Sequence, residues 1–298
     1  MDQPTQPLST TPIPEAADHV SPRSRVVRWG VVLFVAVGIL LIPVPQGISP
    51  ESWRLLAIFA ATITGSIVRP LPGSAMVLLG VTALPVFRVM TIEESLAGYA
   101  DPVVWLVLAA FFISRGMIKT GLGRRIAFLF IKAIGSHSIG LSYALVSTEA
   151  VLAAVIPSTG ARSGGIIFPI AKSLAEAYES RPGLSARRLG AFLMTTVYQC
   201  NVVVCAMYLT GQASNPIIAR LAKEITGIEI TYTRWVIASS VPALVSLALV
   251  PLLIYRVFPP EIKHTPAASD FASKELKEMG RTNWSDCVML LVFALIAA

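Results

Sequence analysis

Of the 298 residues, 54% are hydrophobic and only 14% are charged, and the mean hydropathy is +0.69. A soluble domain averages about 25% charged residues, so a soluble globule of this size would lack the charge to cover its surface and is excluded. The net charge of +7 does not point to nucleic acid, because the basic residues cluster at the ends of apolar runs, where membrane topology accounts for them.

Residues 1–22 are rich in Pro, Ser and Thr and are expected to form a disordered cytoplasmic tail. Asp2, Glu15 and Asp18 argue against an organelle transit peptide, and no small-residue cleavage site follows. After Arg23, Arg25 and Arg28, the run Val31–Val44 reads as a first transmembrane helix. Trp53–Val68 is a second, closed by Arg69-Pro70, and Ser74–Phe87 a shorter third. The acidic loop Glu93, Glu94, Asp101 leads to a fourth, Val103–Ile118. Residues 23–120 thus read as an N-terminal, scaffold-like set of membrane helices. In 121–135, Arg124, Arg125 and Lys132 interrupt an apolar pattern over Gly121–Ile134, which predicts an amphipathic helix at the membrane surface.

Two apolar runs then break near their middles. Leu141–Ile156 runs in and Ile166–Ala177 runs out, on either side of Pro157-Ser158-Thr159-Gly160-Ala161-Arg162-Ser163-Gly164-Gly165. Ala191–Leu209 and Ile217–Leu221 flank Thr210-Gly211-Gln212-Ala213-Ser214-Asn215-Pro216. Backbone freed from a helix at bilayer depth is tolerated only where protein buries it or a watery cavity bathes it. One such break reads as readily as a simple kink; paired interruptions point to a transporter's binding site. Trp235–Val257 is a further span, so residues 188–257 hold the broken helix and the span after it. Residues 258–282, including Glu261–Arg281, form a lysine-bearing cytoplasmic connector. In 283–298 the apolar run Asp286–Ala298 is too short for roughly 30 Å of hydrocarbon at about 1.5 Å per residue. The expectation is the start of a second repeat, the chain being the first part of a longer inverted-repeat carrier.

Charge placement gives the topology. With Arg23, Arg25 and Arg28 cytoplasmic, Arg69 and the cluster Lys119, Arg124, Arg125, Lys132 also fall inside. Lys172, Arg181, Arg187 and Arg188 demand the same side, which requires residues 136–180 to be a re-entrant hairpin with its tip inside the membrane. The fold class is therefore an all-α polytopic membrane protein, with a re-entrant hairpin and a broken helix.

At the tip, Pro157 ends the inbound arm and the outbound helix begins near Ala161, with Ser158, Thr159 or Gly160 as caps. Its first amide N–H groups carry partial positive charge and suit a carboxylate. The carbonyls ending the inbound arm suit a cation instead. At the second break Asn215 stands where an N-cap belongs and Pro216 at the first helical position. Glu149 lies about 13 Å down the inbound arm from Ser158, and an ion pair with Arg162 is geometrically open; a brace and a substrate or proton role are both compatible with such a pair. Cys200, Cys205 and Cys287 lie within or beside apolar runs with no CxxC spacing, which indicates packing. His19, His137 and His264 are scattered and give no ligand cluster, so no metal or cofactor is expected from them.

Three stretches carry a resemblance to a known family. Phe111–Gly123, the tip Pro157–Gly165 and the loop Thr210–Pro216 resemble the divalent anion–sodium symporter (DASS) family, in the branch of the 2-oxoglutarate/malate translocators. The likeness covers roughly residues 25–298. It implies secondary active transport of di- or tricarboxylates (malate, succinate, 2-oxoglutarate or citrate) by a homodimer with an elevator-like movement. Ser158 and Thr159 would then serve the carboxylate and a first sodium ion, completed by Gly211 and Asn215, with Gly160, Thr210 and Ser214 beside them. The family's tip has Asn where this chain has Thr159, and Thr where it has Gly160. Arg162 adds a fixed positive charge, which can replace sodium in related exchangers, so the resemblance leaves antiport and symport both open. An inorganic-anion or proton-coupled carrier is the alternative within transport. A membrane enzyme or scaffold is the alternative outside it, although no catalytic constellation appears in the sequence. A multi-pass protein of the bacterial inner membrane, with a cytoplasmic N-terminus, is the expected setting.

Overall fold

A computed structural model describes residues 22–297. The expected tail lies outside the described residues except for Pro22, and so does His19. Among the described residues all regular structure is helical, in thirteen α-helices with short 3₁₀ and π segments and no β-strand. Four helices are long and apolar enough to cross a membrane: Ser24–Leu41, Pro102–Thr120, Gly190–Met207 and Tyr232–Val257. The chain is an all-α polytopic membrane protein. It divides after Asp101 into two compact units.

The first unit holds α1 (Pro22–Leu41), α2 (Pro50–Val68), α3 (Gly73–Val86) and the short α4 (Ile92–Leu96). Helix α1 starts well before the expected Val31, and its basic end closes onto α2: Arg28 Nη1 donates to the Arg69 carbonyl at 2.9 Å. Ser49 caps α2, its Oγ accepting the Ser52 N–H at 3.1 Å, with Pro50 just inside the helix. The helix stops at Arg69, whose φ is +52°, and Pro70 disfavours any further turn. Helices α2 and α3 meet where side chains are missing. A Cβ on Gly80 would lie 2.2 Å from Thr62 Oγ1, so the close approach depends on that glycine, while one on Gly65 would lie 2.2 Å from Met76 Cε, the movable end of a flexible side chain.

The second unit contains α5 (Pro102–Thr120), α6 (Leu122–Ile134), α7 (Ser138–Ala153), a π-helix (Gly160–Ile167) and α8 (Phe168–Ala177). It continues with α9 (Gly190–Met207), α10 (Ser214–Thr226), α11 (Tyr232–Val257), α12 (Pro266–Glu278) and α13 (Trp284–Ala297). Thus α5, expected beside the first helices, clusters with the hairpin instead. The core joins Leu141, Leu145 and Leu152 of α7 to Ile167, Leu174, Phe192 and the apolar face of α6.

Helix α6 is amphipathic as its sequence predicts, but its apolar stripe is covered by protein. Leu122, Ala127, Phe128 and Ile131 pack within one cluster with α7 and with Ala268 and Ala272 of α12, while Arg124 and Lys132 stay exposed. The connector therefore conceals a helix. Ala268, Phe271, Ala272 and Leu276 give α12 a contact face at helical spacing, outweighed in composition by its Glu and Lys residues. Arg125 fastens the end of α12 to α6, donating to the Met279 and Gly280 carbonyls at 3.2 and 3.0 Å. Such donors suit the negative end of a helix.

Candidate functional site

Both predicted breaks are present. Helix α7 ends at Ala153, and the chain resumes as the π-helix from Gly160. Wide π turns inside helical runs are frequent at functional sites. Helix α9 ends at Met207, and Tyr208 turns extended (φ −118°, ψ 145°) before α10 begins at Ser214. A helix end leaves backbone carbonyls without intrahelical partners, and away from water each must be satisfied.

The two breaks satisfy one another's carbonyls. Thr210 Oγ1 of the second break donates to Ala154 O of the first at 3.0 Å. Arg162 Nη1 donates both to Ile156 O at 2.6 Å and to Gly211 O at 3.2 Å, so one guanidinium joins both interruptions. Its Nε approaches Glu149 Oε1 at 3.3 Å, and its Nη2 approaches Asn201 Oδ1 at 3.5 Å and Cys205 Sγ at 3.3 Å. Ser163 Oγ donates to Asn201 Oδ1 at 2.9 Å and is also hydrogen-bonded to Glu149 Oε1. Arg162 and Glu149 are 0% and 1% exposed, so the pair that was geometrically open is formed and buried. Every nitrogen of the guanidinium is engaged, which makes Arg162 a brace between the breaks. Of the carbonyls ending the inbound arm, those of residues 154 and 156 are already occupied by protein donors.

The last turn of α9 is closed in the same way. Asn215 Nδ2 donates to Cys205 O and Tyr208 O, each at 2.8 Å. Trp235 Nε1 takes Ala206 O at 2.9 Å and Ser239 Oγ takes Met207 O at 2.6 Å. Gly211 N also reaches Tyr208 O at 2.8 Å. A Cβ on Gly211 would meet Cys205 O at 2.6 Å, so only glycine allows this turn.

The expectation for Asn215 needs correcting. It is not the N-cap of α10, which begins one residue earlier at Ser214, and Pro216 is the third helical residue. The Asn215 side chain turns back to the end of α9, where it pairs the buried Cys205 O and shares Tyr208 O with Gly211 N, and it accepts in turn from Gln212 Nε2 at 3.1 Å. Asn215 is 2% exposed and belongs to the frame of the break.

The remaining predicted residues lie nearer the surface. Ser158 is half-buried, its Oγ accepting the Ala161 N–H at 3.3 Å; it stands one residue before Thr159, the N-cap of the π-helix, which makes no side-chain cap bond. Thr159 is half-buried with Oγ1 3.0 Å from Cys205 Sγ. Gly160 is exposed at the start of the π-helix and Ser214 at the start of α10. Arg162, Gly211, Thr210 and Asn215 are thus brought together as a frame, while Ser158, Thr159, Gly160 and Ser214 lie on its more open side.

Sequence reasoning missed Ser163 and Asn201 and gave Cys205 only a packing role. Asn201 carried a usable signal. It is a polar residue inside an 18-residue apolar helix, where such groups face a bundle interior, and it stands four residues before Cys205 on the same face.

A family model described as "Sodium:sulfate symporter transmembrane region" matches residues 23–298. "Putative malate transporter YflS" of Bacillus subtilis (strain 168) is 46% identical over 268 residues, covering 89% of this chain and 56% of the relative. "Dicarboxylate transporter 1, chloroplastic" of Arabidopsis thaliana is 41% identical over 287 residues, 96% of this chain and 50% of the relative. "Inner membrane protein YbhI" of Escherichia coli (strain K12) is 34% identical over 278 residues, 90% and 57% of the two chains. The chain spans about half the length of these relatives. The matched span runs through both breaks and the three motif stretches, and on that agreement the chain belongs to the sodium:sulfate symporter transmembrane family.

Proposed function

We propose that this chain is the N-terminal part of a secondary transporter of di- and tricarboxylates, and that it works by exchange. The observation that carries the reading is Arg162, whose guanidinium binds carbonyls from both breaks. A sodium ion placed among Ser158, Thr159, Gly211 and Asn215 would need oxygen ligands from the same place. There Gly211 O accepts from Arg162, and Asn215 Oδ1 accepts from Gln212 Nε2. An arginine is always charged and cannot leave, so it fills permanently the role that a coupling ion fills reversibly. The family and the two relatives named as transporters support carriage rather than catalysis.

In this reading the anion is bound by Ser158, Thr159, Gly160 and Ser214, which offer hydroxyls and the positive starts of the π-helix and α10. Arg162, Glu149, Thr210, Gly211 and Asn215 hold those ends in register. Residues 136–180 enter and leave on the cytoplasmic side as a re-entrant hairpin. In this reading the protein is a homodimer of the bacterial inner membrane, and the placement of the basic clusters supports an N-terminus inside. The family's description favours one competing reading, sodium-coupled uptake of an anion such as sulfate.

Counterflow in proteoliposomes, using the whole protein that contains this chain, separates the two. Exchange predicts that labelled malate enters only when unlabelled malate, succinate or 2-oxoglutarate is loaded inside, at equal rates with and without sodium. Uptake into empty vesicles driven by a sodium gradient, or competition by sulfate but not by succinate, would overturn it.

A further inference from the structure

We propose that His137 and His264 form a two-imidazole site for a divalent transition metal. They stand 127 positions apart, in segments that the sequence gives no reason to pair, yet the fold opposes them directly in an isolated antiparallel bridge. Their ring centroids are 4.8 Å apart with the planes tilted by 57°, and both residues are exposed. Side chains directly opposite one another across an antiparallel pair share one face with Cβ atoms about 5 Å apart. Two imidazole nitrogens bound to a single ion lie within about 4 Å of each other, twice a zinc–nitrogen bond. The 4.8 Å between ring centroids puts both rings on the scale of that requirement.

The backbone beneath the rings is fixed before any metal arrives. Ser138 N donates to Lys263 O at 3.0 Å and Thr265 N to Ser136 O at 2.8 Å, on either side of the opposed pair. Ser138 Oγ donates to Ile262 O at 2.5 Å and Thr265 Oγ1 to Gly135 O at 2.8 Å. Both hydroxyl residues are 0% exposed. Such preorganisation removes much of the ordering cost of binding. Ser136 Oγ lies 3.1 Å from His137 Nδ1. With the proton on Nδ1, His137 donates to that hydroxyl and presents Nε2 to the ion, the outer contact that metal-bound histidines ordinarily make.

Imidazole ligands suit zinc, copper and nickel rather than magnesium or calcium. With two protein ligands, water completes the coordination shell. The ion would pin the 262–265 segment to the residue that precedes α7, the arm leading to Glu149 and the hairpin tip. The site is independent of the transport reading.

The test is calorimetric titration of zinc chloride into the untagged protein at neutral pH, repeated for His137→Ala and His264→Ala, with melting curves as a folding control. Both positions are exposed, so the variants are expected to fold. The expected result is one zinc ion per chain in the parent, with affinity falling at least tenfold in each variant. A copper(II) titration followed by electron paramagnetic resonance would show two nitrogen ligands in the parent and fewer in each variant. Absence of zinc binding in the parent, or unchanged binding in both variants, would overturn the proposal, as would a loss confined to one of them.

Discussion

Burying a charged pair costs several kcal/mol per ion, recovered only when the geometry is good and the remaining donors are satisfied. Arg162 meets both conditions with contacts to Glu149, Asn201, Cys205 and the carbonyls of residues 156 and 211. Lysine in its place offers three donors on a compact head instead of a planar fork of five, and it cannot reach both breaks at once. Arg162→Met, which removes one partner outright, is expected to lower unfolding stability by about 3–5 kcal/mol, the range for breaking a buried pair. Removing both partners together, as Arg162→Met with Glu149→Leu, is expected to cost less than the two single losses added. Chemical unfolding of the four proteins checks this; strict additivity would show that the two side chains do not act as a pair. The sequence made these two residues visible because a charge inside an apolar run stands out. It left Ser163 and Asn201 unnoticed, since neutral polar groups in such runs are common and only the fold turns Asn201 onto the guanidinium and Ser163 onto Glu149.

Among the elements, the helix ends carry the design. The exposed carbonyls of α9 are taken by Asn215, Trp235 and Ser239, so the second break is a closed structure rather than a frayed one. Asn215→Ala leaves the buried Cys205 O unpaired, worth about 1–3 kcal/mol, and leaves Tyr208 O to Gly211 N alone. It should lower stability and speed amide exchange over residues 205–211 before any effect on a ligand is considered. Hydrogen exchange read by mass spectrometry measures this, and unchanged protection over those residues would refute the capping role. Proline, glycine and small polar residues announced where α7 and α9 would stop, because those residue types disfavour helix continuation. They did not reveal which side chains would cover the exposed carbonyls. Local sequence indicated a cap for α10, and tertiary contact assigned Asn215 to the preceding helix. Helix α12 was hidden for a related reason: its contact face of Ala268, Phe271, Ala272 and Leu276 is set among the Asp, Glu and Lys residues that dominate the stretch.

At the scale of the whole molecule, apolar length and charge placement disclosed the polytopic helical class, and the three motif stretches disclosed the family. The grouping of α5 with the hairpin and the meeting of the two breaks depend on contacts between segments distant in sequence. That meeting is the central claim, since a shared anion site requires it. It can be tested by pairing Thr159→Cys with the native Cys205, whose Sγ lies 3.0 Å from Thr159 Oγ1, close to the reach of a disulfide whose S–S bond is about 2 Å. Mild oxidation followed by peptide mass spectrometry is predicted to give a 159–205 crosslink as the dominant product, reversible by reductant. Free thiols at both positions after oxidation, in protein that remains folded, would contradict the account.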